Sequence, residues 1–123
     1  MRKLETRMNN AIRGRKNFSS GNTTVKTCSF FDTEGVYGEE SKVFLHGNHI
    51  ATYDHVTKEL SLFDGGWQSN TTKSRLNALC YEFATGFSVF QKNWNWFVSD
   101  FQNTVIDFTD GITVNYNGCF VKL

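Results

Sequence analysis

The stretch richest in chemistry is Asn70, Thr71, Thr72, Lys73, Ser74 and Arg75. Directly after it, Leu76, Leu79, Cys80 and Phe83 recur at the three-and-four spacing of one helical face, which predicts a helix over about residues 71–84. The Ser, Asn and Thr residues before that face suit an N-cap. Lys73 and Arg75 then fall in the first turn, at the positive end of the macrodipole, where each misplaced cation costs about 0.3–1 kcal/mol. Free backbone N–H groups, the hydroxyls of Thr71 and Thr72, the Asn70 amide and the two cations form a set suited to a phosphate or a carboxylate. A plainer account is a capped helix whose Lys73 and Arg75 reach into solvent or pair with Glu82 or an acidic strand. The pattern GxxxxGK[ST] is absent, so this is not a P-loop.

A second group is Trp67, Trp94, Trp96 and Phe97. By strand alternation Trp94 and Trp96 share a face and Phe97 points the other way. Aromatics beside Lys92, Lys73 and Arg75 could stack on bases. Core packing competes with that use, because a small chain needs large side chains inside. The expectation is Trp96 inside, Trp67 between helix and sheet, and Trp94 at the surface. His46, His49 and His55 could hold a metal only with a third convincing ligand, and none is evident, so no metal or other cofactor is expected. Cys28, Cys80 and Cys119 are three thiols without a CxxC pair, read as reduced and structural. No Ser, Cys, His or Asp spacing suggests a nucleophile and its base, so no enzyme is expected.

The elements that must position these residues follow from periodicity. Leu4, Met8, Ala11 and Ile12 predict a helix over about residues 2–14, ended by Gly14. Residues 17–24 read as a loop, 24–31 as a strand and 32–41 as a turn-rich acidic connection. Residues 42–54 read as a hairpin about a Gly47-Asn48 turn, pairing Leu45 with Ile50 and Val43 with Thr52. Residues 59–63 add a third strand. Residues 86–100 predict a second hairpin turning at Lys92-Asn93, with Val89 opposite Trp96 and Phe87 opposite Val98. Residues 104–116 predict a third, with Phe108 facing Ile112 and Ile106 facing Val114, and with Gly111 left-handed. The fold class is therefore α+β: a mainly antiparallel sheet of β-hairpins with two helices, at about 2–14 and 71–84, packed on one face.

At 123 residues one domain spanning 1–123 is expected, with a basic N-terminal helix or arm over about residues 1–20. Phe occurs 12 times, which predicts an aromatic core. No apolar run has membrane-spanning length and no signal-like segment follows Met1, so a soluble intracellular protein is expected. The formal net charge is +1, but the charges are segregated. Residues 1–27 carry Arg2, Lys3, Arg7, Arg13, Arg15, Lys16 and Lys26 against Glu5 alone. Residues 28–66 carry Asp32, Glu34, Glu39, Glu40, Asp54, Glu59 and Asp64 against Lys42 and Lys58. The basic segment could bind an external polyanion, or dock in part on the acidic one.

The signatures LHGNHIA (45–51), GWQSNTTKSRLNAL (66–79) and QKNWNWFV (91–98) resemble those of a family of small, largely uncharacterised bacteriophage proteins. Those proteins share an HGN-x-IA hairpin, a GW-x-x-x-TTK-x-RLNA helix start and a QK-x-x-x-W segment. The likeness covers about residues 43–98. It implies a phage accessory protein acting in the cytoplasm of the infected host cell, and it brings no catalytic residues. The expected function is non-enzymatic binding of a phosphate-bearing ligand, nucleic acid first. Asn70, Thr71, Thr72, Lys73 and Arg75 would hold phosphate, Arg13, Arg15 and Lys16 would extend the surface, and Trp94 would stack. The alternative is a protein-binding inhibitor of a host enzyme or defence complex, acting through residues 32–40 or an aromatic patch. A third reading is a sponge for a nucleotide signal.

Overall fold

The computed structural model describes residues 1–122. Helix α1 (Lys3–Arg13) buries Glu5, Met8, Asn9 and Ile12, one stripe at helical spacing. Five strands follow: β1 (Phe18–Ser20), β2 (Thr23–Phe31), β3 (Tyr37–Leu45), β4 (Asn48–Asp54) and β5 (Glu59–Leu62). Helix α2 (Asn70–Phe83) comes next, capped by Ser69, whose side chain accepts from the Thr72 N–H. The remainder is β6 (Ser88–Lys92), β7 (Asn95–Ser99), β8 (Val105–Asp107), β9 (Ile112–Val114) and β10 (Phe120–Lys122). A seven-stranded sheet has the order β1-β2-β3-β4-β5-β9-β10 and a three-stranded sheet the order β6-β7-β8. The expected α+β class with a mainly antiparallel sheet is what the chain forms.

Alternation along β2, β3 and β5 puts Val25, Val43, Leu45, Leu60 and Leu62 on one buried face, with Lys26, Lys42 and Ser61 on the other. Leu76 and Leu79 of α2, Met8 and Ile12 of α1 and Val98 of the small sheet complete that core. Its centre is aliphatic, not aromatic as expected. Of the phenylalanines only Phe83, Phe87 and Phe108 belong to the buried core. Most of the others lie at half-buried or exposed positions, and several of these decide what the surface can do.

The turns differ from expectation in specific ways. Residues 17–24 form a hairpin rather than a loop, because Gly21 takes φ +56 and lets Phe18–Ser20 pair with Thr23–Val25. β3 begins at Tyr37, inside the segment read as a connection. The β3–β4 turn sits at His46-Gly47, with φ 51 and 79, not at Gly47-Asn48. Two successive positive φ values match the strand twist of a tight hairpin, and His tolerates the first. Leu45 therefore faces Asn48 and Val43 faces Ala51. A register shift next to Val43 accommodates Ile50 as the extra residue, so Ile50 and Ala51 are both buried.

The second hairpin turns one residue later than expected, at Asn93-Trp94, so Val89 faces Val98 and Gln91 faces Trp96. The third expected hairpin does not form. β8 pairs with β7, whereas β9 pairs with β5 and β10, so the chain crosses between sheets at residues 108–111. Phe108 is held there edge-on to Trp96, with ring centroids 5.5 Å apart. Gly111 is left-handed as expected, φ +90, but its N–H donates to Leu62 O at 2.8 Å instead of closing a hairpin.

Candidate nucleic-acid interface

The anion that Arg75 needs is inside the protein. Arg75 lies on the buried side of α2 with 3% of its surface exposed. Its Nη1 donates to Glu5 Oε2 at 2.8 Å, its Nε to Thr23 Oγ1 at 3.0 Å and its Nη2 to Asn22 Oδ1 at 3.1 Å. Ser74 Oγ donates to the same Glu5 oxygen at 2.6 Å, and the Arg2 N–H donates to Glu5 Oε1 at 3.0 Å. Burial alone would raise the Glu5 carboxyl. The donors from Ser74, the Arg2 backbone and Arg75 outweigh it and hold the group below its ordinary value of 4.5. Glu5 is the one acid among residues 1–27, and that isolation was the available signal of its role. Arg75 is thus the clamp between α1, the β1–β2 turn and α2, and it presents no guanidinium N–H set to an outside phosphate.

The neighbouring positions divide in the same way. Thr72 is buried, with its hydroxyl bonded to Ser69 Oγ and to Trp67 O, while Asn70 is exposed and Thr71 half-buried. Lys73 points along α2 toward the small sheet, with Nζ 3.5 Å from Gln91 Oε1. Arg13 pairs with Glu82 at 2.5 Å and Arg15 with Glu39 at 2.9 Å, and both keep more than half of their side chains exposed. The Arg15 contact docks the basic segment on the acidic one at that point. Lys16 is exposed. The eight candidate phosphate ligands therefore do not converge on one site.

The small sheet offers a better surface. Val89, Trp96 and Val98 face inward and are buried, and Asn77 of α2 locks the inner edge through two 2.8 Å bonds to the Val89 backbone. The outer face then carries Phe90 opposite Phe97, stacked with centroids 5.8 Å apart and planes 28° from parallel. Both rings are half-buried. Lys92 stands two residues along from Phe90 on that same outer face. At the tip is Trp94, 88% exposed with φ +68. Left-handed geometry is a genuine outlier for so bulky a residue. Trp96 is inside and Trp94 outside, as the sequence suggested, but Trp67 is 75% exposed instead of packed between helix and sheet. Alternation alone could have shown Phe90 and Phe97 as a pair. The misplaced turn hid it.

The histidines and cysteines have other work. His46 occupies a turn, and His49 lies between Phe44 and Phe63 with Nε2 2.7 Å from Thr52 Oγ1. Among the described residues no three His, Cys, Asp or Glu side chains form a group able to hold a metal. Thr27, Ser41 and His55 form a chain with contacts of 2.6 and 2.7 Å. Ser41 is fully buried, so this chain ties β2 and β3 to the end of β4 and presents no nucleophile. Burial pushes the Cys80 thiol up to about 12, which keeps it protonated and unreactive.

Fold and surface together define a small α+β protein in which, among the described residues, no helix is long and apolar enough to cross a membrane. Residues 1–115 match the family model described as Kyanoviridae Gp96 protein, and the chain belongs to that bacteriophage protein family. No curated protein and no solved structure matches it.

Proposed function

We propose that this phage protein is a non-enzymatic accessory protein of the infected host cytoplasm that binds single-stranded nucleic acid on the outer face and tip of the β6–β7 hairpin. The observation that carries this reading is Trp94, a large aromatic held almost wholly in solvent on a backbone conformation that opposes it. Strain of this kind is of order 1–3 kcal/mol and recurs at functional sites. Trp94 stands at the tip beyond the aromatic platform of the stacked Phe90 and Phe97, while Lys92 shares the outer face with that pair and Lys73 reaches the other side beside Gln91. Stacking on such platforms is tolerant of sequence and suits unpaired bases, and the cations track phosphate. Asn70 lies about one turn of α2 before Lys73 and extends the polar edge.

Fluorescence anisotropy with short labelled DNA and RNA single strands tests the proposal. Trp94→Ala is expected to weaken binding by about 1–3 kcal/mol, roughly 5- to 150-fold. Lys73→Glu/Lys92→Glu is expected to weaken it further, with the fold unchanged by circular dichroism. An affinity indifferent to both substitutions would count against the site.

A further inference from the structure

The longest pairing in the protein leaves its own sheet. β2 and β3 pair over nine residues each, from Thr23↔Leu45 to Phe31↔Tyr37. β1 reaches only as far as Val25 and β4 only as far as Glu40. The His55 N–H still reaches Glu39 O, so residues 29–38 form a two-stranded ribbon with no strand on either side. Four large apolar residues are exposed there: Phe30 at 44%, Phe31 at 72%, Val36 at 58% and Tyr37 at 47%. Isolated two-stranded ribbons are marginal in water, and such side chains raise the risk of aggregation. The fold gains little from them, since none belongs to the core.

The tip is nevertheless well ordered by its bonding. Asp32 Oδ1 accepts from the Glu34 and Val36 N–H groups, both at 2.9 Å, and the Asp32 N–H donates to Val36 O at 2.9 Å. The Phe30 ring occupies the space above Gly38, where a Cβ would come within 2.5 Å of it, so a larger residue there would displace the ring. Phe31 and Tyr37 meet edge-to-face on the opposite side, with centroids 5.7 Å apart. Aromatic surface thus covers both faces, and the charged residues of the turn are the acids Asp32 and Glu34.

We infer that residues 29–38 are a docking wedge for a partner protein, entering an apolar cleft whose rim is basic. Aromatic contact on both faces fits a cleft better than a flat surface. Ordering before contact spares the entropy cost of binding, as in other preorganised binding elements. Phosphate backbones are repelled by Asp32 and Glu34. A symmetric contact between two copies would bring four such carboxylates together.

Photo-crosslinking residues placed singly at Phe30, Phe31 and, as a control, Lys58 test this in infected cells. The expected result is one protein captured from both ribbon faces and not from position 58. With that protein purified, Phe31→Ser and Val36→Ser should each weaken binding at least 30-fold (about 2 kcal/mol), the loss expected of interface anchors. Glu34→Lys should weaken it too, while Trp94→Ala leaves it unchanged. Melting temperatures close to wild type show that the fold is intact in each variant. Capture from one face only, capture of nucleic acid or of a second copy of this chain, no capture beyond the control, or affinity unaffected by Phe31→Ser and Val36→Ser would each overturn the inference.

Discussion

Arg75 and Glu5 are the pair on which the two helices turn. Their side chains are 4% and 2% exposed and 2.8 Å apart. Removing one partner leaves a buried charge uncompensated, which costs about 3–5 kcal/mol. Glu5→Gln and Arg75→Met should each show that loss in urea denaturation. The double change Glu5→Leu/Arg75→Met should cost less than the sum, because an apolar pair leaves no orphan charge. The sequence showed the misplaced cation at the helix start and the lone acid among residues 1–27. It could not show that they meet, since 70 positions separate them and pairing across that distance is decided by how α1 packs. Lys73, one residue type and two positions away, has the opposite fate because it lies on the other side of the helix.

At the scale of elements, the hydrophobic periods were legible and the turns were not. Both helices appear within a residue or so of expectation, and so do β2, β4 and β5, whereas β3 begins at Tyr37, inside the expected connection. Two hairpin turns, at His46-Gly47 and Asn93-Trp94, lie one residue from the expected positions, because left-handed backbone there does not coincide with a glycine at every position. His46, Asn93 and Trp94 adopt it without one. With the turn at Lys92-Asn93, Phe90 would face Asn95 and Phe97 would face Ser88, so the direct Phe90–Phe97 pair appears only with the turn one residue later. The β8–β9 connection departs from expectation because a three-residue loop between apolar runs looks the same in sequence whether it closes a hairpin or changes sheets. Trp94→Gly converts the turn to Asn-Gly, the residue pair that such turns prefer. It should raise stability by about 1–2 kcal/mol by relieving the left-handed strain, while weakening single-strand binding as Trp94→Ala does. A variant no more stable than wild type would show that the turn is not strained.

Across the whole molecule the segregated charges become distinct surfaces. The basic N-terminal helix is packed into the core and partly neutralised by Glu82 and Glu39, so it does not act as a free arm. The acidic segment supplies the central strands β3, β4 and β5 of the large sheet and the ribbon that projects from it. Stability against pH follows from groups spread over the sheet. Burial lowers the basicity of His49 below its ordinary 6.5; Lys42 adds to this and the bond to Ala51 opposes it. Burial also lowers His55, where Arg15 and Lys58 add to the effect and Glu39 and Asp54 oppose it. The unfolded chain takes up these protons as pH falls through 6.5 while the folded chain refuses them, so stability is full above that pH and declines below it. Glu5, held below 4.5, keeps its contribution until the pH falls further. The double variant His49→Gln/His55→Gln should flatten the slope between about pH 6.5 and 5 relative to wild type in chemical denaturation.

The most direct test of the central claim, that the small sheet and its tip bind single-stranded nucleic acid, is the salt dependence of affinity for a short single strand. Each phosphate contacted contributes a slope of about −0.7 in log K against log salt. Wild type should show a clear negative slope, and Lys73→Gln/Lys92→Gln should flatten it by about 1.4. A slope unchanged by the double substitution, or affinity independent of salt, would contradict the account.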